Sequence, residues 1–562
     1  MAARKHRRAA AHLGRVLLLC PLLLGGAVSC TGSKKNAVLT TQVTRGAPVK
    51  FSTTRSLIRR QEPAYPTYEE AETLAADPEP KGALKAKIQT LLRTPTVDNG
   101  AYLSGKRPAE ASTPALGPFL RVASWNIEKS LNIALASRAL ESEASYVKLL
   151  DERKVRTTGA RREELMRQRE RLATADVIFL QEMHNGVSKS GYVDAARTLA
   201  KTLGMNYAYA VQAVEVDPVI LGMEPESVDK KGNKQFLPLD KARYKGGFGS
   251  AVLSRYPIIS SRVVPLKSAY DWHAGERQSA DIVEHGRRIG SELAFETEIR
   301  RELKVGGRCF FRVDVAVPQV PGGVVTLVNN HLEIKTTPKG REQQMVEILN
   351  LLKGVPHPVI MAGDHNSAPQ DVSATSLARV AWRQVNTPSA LANTAVNLTT
   401  LVTDSFVPLN RGRGVINVLK NFQNPLAPDV PIVFPNPVLG MFERVRDHRF
   451  PDGTAFDFRG NRERSINGHG GILANSNEHR LIGQRTTFSV RRPIGPIGRY
   501  RLDWFFIRSG FVKDPSDDGA PYRLAPHFGE TLAEFNDAMK PKFSDHRPIV
   551  VDIPFQEPAV KR

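Results

Sequence analysis

The chain has 562 residues, 41% hydrophobic and 24% charged, the composition of an ordinary soluble globular protein rather than an embedded or low-complexity one. That length accommodates one large α/β domain with extensions, or two to three domains. Lys and Arg number 79 against 57 Asp and Glu, a formal charge of +22 that favours nucleic acid, anionic lipid or another polyanion as partner, unless it is only a solvated basic surface.

Residues 1–30 read as an address. Arg4, Lys5, Arg7 and Arg8 form a basic start, and VLLLCPLLLGGAV from Val16 is an apolar core too short to span a bilayer as a mature helix. It ends in AVSC, which resembles the bacterial lipoprotein signal, with Cys30 as the acylated residue of an exported protein at the outer membrane, in the periplasm or on the surface. Ala27 stands where that signal more often has Leu, and an ordinary secretory signal is the alternative. The Arg7-Arg8 pair hints only weakly at twin-arginine export. Of three cysteines, Cys20 lies within the signal and Cys30 at its end, which leaves Cys309 and no intramolecular disulfide. No later stretch approaches the ~20 apolar residues of a transmembrane helix.

Residues 31–117 are polar and broken by Pro and Gly, with one helical pattern, ALKAKIQTLLR from Ala83 to Arg93; they read as a flexible tether with a small docking helix. Strands begin at Pro118. PFLRVASWNIE, ADVIFLQEM, GGFGSAVLSRYPI, RCFFRVDVAV, GVVTLVNNHLE, PVIMAGDHN, RYRLDWFFIRSG and RPIVVDIPF are short apolar or alternating runs bounded by turn residues. Helical patterns lie between several of them, including REQQMVEILNLLKG with Met345, Ile348, Leu349 and Leu352 on one face. Alternating strands and helices predict a layered α/β domain over 118–556 with mixed sheets. Residues 371–498 are rich in Pro, Gly and Asn and read as a loop-rich insertion.

The strand ends carry the chemistry. Asn126 and Glu128 end one run and Gln181 and Glu182 the next; a third carries Asn330, His331 and Glu333; Asp364 and Asn366, with His365 between, end a fourth; a fifth carries Asp503, and Ser544, Asp545 and His546 precede a sixth. Acids, amides and imidazoles at the ends of six apolar runs describe a site along one sheet edge. The order WNIE, LQE, NHLE, GDHN, LDW and SDHRP, with GSAVLSRYPI between, resembles the endonuclease/exonuclease/phosphatase superfamily from about Pro118 to Phe555. The resemblance implies a four-layer α/β sandwich, two packed mixed β-sheets flanked by helices as in deoxyribonuclease I, and Mg²⁺- or Mn²⁺-dependent hydrolysis of phosphoesters. His365, where the family commonly has an aromatic, and the long interval before Asp503 depart from the pattern.

Phosphodiester hydrolysis needs a cation, an activated water and help for the leaving oxygen. Within the resemblance, Glu182 is the expected metal ligand, with Asp545 and Asn126 near the same ion, because carboxylate oxygens suit a hard cation that keeps several waters. His546 is the expected general base, oriented by Asp503. Asp364 would orient water or assist the leaving group. Asn126 and Asn366 would donate to phosphate oxygens, and His331 to a phosphate oxygen or, as an acid, to the leaving oxygen, with Asn330 and Glu333 orienting His331 or merely exposed. Gln181 reads as structural and His365 as supporting or exposed.

Substrate is less legible. An Arg-rich stretch from Glu443 to Arg501, including Arg491 and Arg492, suits the backbone of a nucleic acid, and a nuclease is the leading expectation. A sphingomyelinase-like diesterase, a phosphomonoesterase and a non-catalytic binding protein on the same fold are the alternatives. No protein partner is inferable.

Overall fold

Alternation along GPFLRVASWN, the strand Gly117–Asn126, sets the first layer boundary: Leu120 and Val122 face the inter-sheet core, while Ala123 and Trp125 face the helices. The structure is a computed structural model and describes residues 43–51, 57–150, 159–221, 223–228, 234–277, 302–368, 438–480, 484–494 and 497–560, with backbone alone at 220–221, 223–228, 234–238, 490–494 and 497–498.

The strands used below are, in chain order, β1 (Thr44–Pro48), β2 (Thr96–Asp98), β3 (Ala109–Thr113), β4 (Gly117–Asn126), β5 (Val177–Asn185), β6 (Asn206–Glu215) and β7 (Gly247–Ser254) of an eleven-stranded sheet. A five-stranded sheet follows, in spatial and chain order β8 (Ile258–Pro265), β9 (Cys309–Ala316), β10 (Val324–His331), β11 (Val359–Asp364) and β12 (Asp503–Arg508). The chain then returns to the larger sheet as β13 (Ile549–Pro554), antiparallel to β4. Both sheets are mixed: β4 runs parallel to β5 and β10 parallel to β11, and their other pairings here are antiparallel.

Phe179, Val252, Phe311, Leu327, Ile360 and Phe505 meet between the sheets. Outside the larger sheet pack α1 (Tyr68–Ala76), α2 (Gly82–Leu91), α3 (Ile133–Glu141), α4 (Gly159–Ala173) and α5 (Ala195–Leu203). Outside the smaller lie α6 (Pro338–Leu352) and α7 (Leu439–Asp447). This is the expected four-layer sandwich. α6 starts where Thr337 accepts the Gly340 N–H at 3.1 Å and Pro338 fills the first helical position. Its predicted face (Met345, Ile348, Leu349, Leu352) packs against Phe442 of α7 and Trp504 and Phe506 of β12.

Two expectations are corrected. The tether reading fails for much of 31–117: α1 and α2 bury Leu74, Ala75, Ile88 and Leu91 under the helical layer, β2 pairs with β6, and β1 pairs with β3 on the edge beside β4. The docking helix expected at Ala83–Arg93 is α2; the other elements have few apolar residues locally and pairing partners far along the chain, so polarity masked them. The insertion reading fails for 438–480. This stretch is irregular, yet Val438, Phe442, Phe456, Phe458 and Leu473 are core residues over the smaller sheet. Residues 369–437 lie outside the described residues, as do 1–42 with the expected signal and Cys30. Among the described residues no helix is long and apolar enough to cross a membrane.

Candidate active site

Register assembles the site. His331 pairs with Asp364 across β10 and β11, and Asp364 with Asp503 across β11 and β12. In the larger sheet Asn126 pairs with Gln181, beside Glu182, and β13 opens opposite Ser124 just after His546. A polar staple fixes the two edges together. Gln181 Nε2 donates to Asn329 Oδ1 at 2.8 Å, and Asn329 Nδ2 donates to Leu180 O at 3.0 Å and Ala251 O at 2.7 Å. Removing either partner would strand a buried polar group, a loss of about 1–3 kcal/mol.

The edge is backbone-strained where it carries function. Glu182 and Asn366 have φ of 57° and 46°, and the run Glu128, Lys129, Ser130 has φ of 47°, 53° and 56°. Each such residue costs about 1–2 kcal/mol, so the surroundings must hold it. Asn126 Oδ1 accepts the Glu128 N–H at 3.1 Å, Glu182 Oε2 accepts the Lys129 N–H at 3.2 Å, and Ser130 Oγ donates to Glu182 O at 3.3 Å. In GDHN, Gly363 is required: at φ 140° a Cβ would stand 1.9 Å from Asn330 O.

His546 Nδ1 lies 2.8 Å from Asp503 Oδ2, and its Nε2 lies 3.8 Å from Asp364 Oδ2. Burial opposes the imidazolium, but Asp503 and Asp364 outweigh it and hold the His546 pKa well above its ordinary value. Burial, with Asp503 beside it, pushes Asp364 up to about 7 against the opposing pull of His546. The Asp364 carboxylate also accepts from Asn126 Nδ2 at 3.0 Å and from the Asn366 N–H at 2.8 Å. His331 presents its Nε2 to the same Asp364 Oδ2 at 3.8 Å and to Glu182 Oε1 at 3.8 Å, while its Nδ1 meets Arg308. Burial, then Arg308, His546 and Lys304, hold its pKa well below the ordinary range.

Three carboxyls gather on the opposite side. Burial, then Asp545 and Glu182, push Glu128 up to about 8. Burial and Glu182 also raise Asp545 against His546. Glu182 is raised by burial but brought below its usual range by Lys129, His546, Lys304 and Arg308. The backbone knits the group, with Glu128 Oε2 accepting the Asp545 N–H at 3.0 Å. Among the described residues no three His, Cys, Asp or Glu side chains converge tightly enough to enclose an ion unaided. An open group of mutually repelling carboxylates nonetheless fits a hard, largely hydrated divalent cation, which takes one or two protein carboxylates. Glu182 and Asp545, with Glu128 beside them, would hold it.

The Endonuclease/Exonuclease/phosphatase family model matches residues 123–546, from β4 to His546 itself. The chain belongs to this family. Its members are hydrolytic phosphoesterases that generally depend on a divalent metal. Solved structures similar to the chain include an endonuclease/exonuclease/phosphatase from Beutenbergia cavernae DSM 12333 (16% identity, 79% of this chain and 74% of that one, TM-score 0.32). Others are D. rerio TDP2 with a single-strand DNA product (15%, 77% and 98%, TM-score 0.31) and the human nocturnin catalytic domain with bound sulfate (13%, 77% and 93%, TM-score 0.30). No curated protein matches the sequence.

Of the expected site residues, the structure brings together His546, Asp503, Asp364, His331, Asn126, Glu182 and Asp545. Asn126, expected beside the metal, turns its amide to Asp364 and Glu128 and so ties the two halves of the family's site together. Asn366 directs Nδ2 to Leu332 O at 3.0 Å, leaving its second amide N–H for a ligand. Asn330 does not orient His331; its amide faces His365 Nε2 at 3.4 Å. His365 is fully buried, its Nδ1 on Gly363 O at 2.9 Å and its ring on Phe506, with burial lowering its pKa to about 4. Cys309 is a buried free thiol. Arg491 and Arg492 lie on the strand Phe488–Ile494, where Phe488 bridges His546, but their side chains are outside those described. Sequence reasoning named Glu128 as a strand-end acid without giving it a role, and it missed Lys129, Lys304 and Arg308. The signal for Lys129 was adjacency to WNIE; Lys304 and Arg308 had none, since Lys304 reaches the site on the short strand Lys304–Gly306 paired with β6, and Arg308 just before β9, which pairs with β10.

Proposed function

We propose that this family member is an exported, metal-dependent phosphodiester hydrolase acting on nucleic acid. The observation that carries the catalytic reading is the convergence of two imidazoles on one carboxylate: His331 Nε2 and His546 Nε2 each lie 3.8 Å from Asp364 Oδ2. A phosphoryl group in that space would find N–H donors on one side and a base on the other. His546 Nε2 takes the proton of the attacking water, and Asp503 holds the ring and stabilises the imidazolium. His331, Asn126 and Asn366 orient the phosphoryl oxygens, and Asp364 aligns the water between the rings. A divalent cation, Mg²⁺ or Mn²⁺, when bound near Glu182 and Asp545 supplies Lewis-acid polarisation and offsets the clustered carboxylate charge.

Support for a nucleic-acid substrate comes from the +22 charge and from the Arg491–Arg492 strand that starts beside His546. Support for export comes from the pattern of residues 1–30, where cleavage before Cys30 would leave that residue N-terminal to carry a lipid and hold the protein at a membrane. The test is to incubate the protein with plasmid DNA, RNA, sphingomyelin and a chromogenic phosphodiester, with Mg²⁺ and with chelator. Metal-dependent cleavage of nucleic acid is expected. Cleavage of sphingomyelin alone, or of a chromogenic phosphomonoester added to the panel and no diester, would overturn the nuclease reading.

A further inference from the structure

His331 and His546 face the same carboxylate oxygen, yet their Nδ1 atoms meet opposite partners. His546 Nδ1 meets Asp503 Oδ2 at 2.8 Å, whereas His331 Nδ1 meets Arg308 Nη1 at 2.7 Å. A carboxylate accepts and a guanidinium only donates. We propose that Arg308 is a positioning residue that locks His331 in the tautomer with its proton on Nε2, so that a neutral imidazole offers an N–H to an oxygen of the substrate's phosphoryl group.

The argument is one of hydrogen-bond polarity. Because Arg308 can only donate, Nδ1 must present its lone pair; a proton there would set two N–H groups against each other at 2.7 Å. A neutral ring then carries its proton on Nε2. That N–H points between Glu182 Oε1 and Asp364 Oδ2, both at 3.8 Å, too far for a hydrogen bond with either. It is therefore aimed into the space the phosphoryl group would occupy. Asp503 does the reverse for His546: it accepts the Nδ1–H at 2.8 Å, so that when this ring gives up a proton the lone pair appears at Nε2. The same ring atom, given opposite partners, makes one histidine a donor and the other a base.

Arg308 is itself fixed. Its Nη1 donates to Gln212 Oε1 at 3.3 Å, and its Nε lies 3.5 Å from Glu333 Oε2. Glu333 is held by Trp272 Nε1 at 2.8 Å and the Lys335 N–H at 2.9 Å. The acid of NHLE thus acts on the histidine of NHLE through Arg308 and not directly.

The lock rests on the hydrolase reading only for the identity of the ligand, so its first test needs no turnover. Full-length protein labelled with ¹⁵N-histidine is compared by long-range ¹H–¹⁵N spectra, with His331 assigned by the loss of its signals in His331→Gln. The wild type should show Nδ1 unprotonated and Nε2 protonated. Arg308→Met, checked for folding by circular dichroism, should shift His331 toward Nδ1 protonation, and Arg308→Lys, which keeps a donor, should retain the wild-type pattern. A wild-type proton on Nδ1, or Arg308→Met with an unchanged pattern, overturns the lock; if the Met variant does not fold, the wild-type pattern decides. On a phosphodiester, Arg308→Met should lose about 10²-fold in kcat with a smaller change in KM, as for a misaligned oxyanion donor. An inactive wild type with the Nε2–H pattern would overturn the hydrolase reading and leave the lock standing.

Discussion

His546 Nδ1 and Asp503 Oδ2 stand 2.8 Å apart, both buried, although 43 residues separate them in sequence. The pair is built by β12 and the turn before β13, and it leaves His546 Nε2 facing the reaction space. His546→Ala should lower turnover by about 10²–10⁴ with the fold intact, and Asp503→Asn should fall in the same range. Because the two act as one unit, the double variant should be scarcely worse than the worse single. Turnover at saturating metal, with circular dichroism, checks this; near-normal turnover in His546→Ala would move the base to Asp364 or His331.

Stability should fall as pH rises through the neutral range. The folded His546 pKa is raised above the unfolded value, so its contribution is fully present below about pH 6.5 and is lost as pH rises through the folded pKa. Asp364 and Glu128, raised to about 7 and about 8, act in the same direction: ionising them costs more folded than unfolded, so stability declines from about pH 4 upward. Urea melts from pH 5 to 9 without metal should show the decline, and Glu128→Gln should flatten it. A wild-type profile level across that range would contradict the shifts.

Metal should reverse that trend. Mg²⁺ or Mn²⁺ should raise the melting temperature, more at alkaline pH, where the carboxylates are ionised. Glu182→Gln keeps the size but removes the charge, so it should raise the metal concentration needed and reduce turnover. Titration of activity and melting temperature against metal reads both effects. Full activity in excess chelator would rule out the proposed chemistry.

Arg491 and Arg492 should govern affinity for long polyanions and not the chemical step. Replacing both with Ala should weaken DNA binding and flatten its salt dependence, by a slope of about one for each phosphate no longer neutralised. A small chromogenic diester should be cleaved almost as before. Binding isotherms at several salt concentrations distinguish this from a merely solvated strand, which would leave the slope unchanged.

Cys30→Ser should release the protein from membranes without lowering specific activity. Fractionation after a high-salt wash is the measurement. A Ser variant that stays with the membrane would place the anchor elsewhere.

Much of the site was legible because strand ends announce themselves: apolar runs stop at Asn126, Glu182, His331 and Asp364, and each such stop is a local property of the chain. The apolar face of α6 and a layered α/β domain with mixed sheets followed from periodicity, whereas the four-layer sandwich was what the family resemblance implied. Other features depended on where distant strands lie. The polar stretch before Pro118 showed the helical pattern of α2 but hid α1 and β2, because their stabilising contacts are with α-layer residues and β6 far downstream. Asn330 and His365 looked like candidates for the site, yet they pair with each other at 3.4 Å and His365 is buried against Phe506. Sequence alone determined which groups could do acid–base and metal chemistry. Only the tertiary structure decided their protonation and partners, because a tautomer or a shifted pKa depends on neighbours a few ångströms away: Arg308, just before β9, on His331, and Asp503 of β12 on His546.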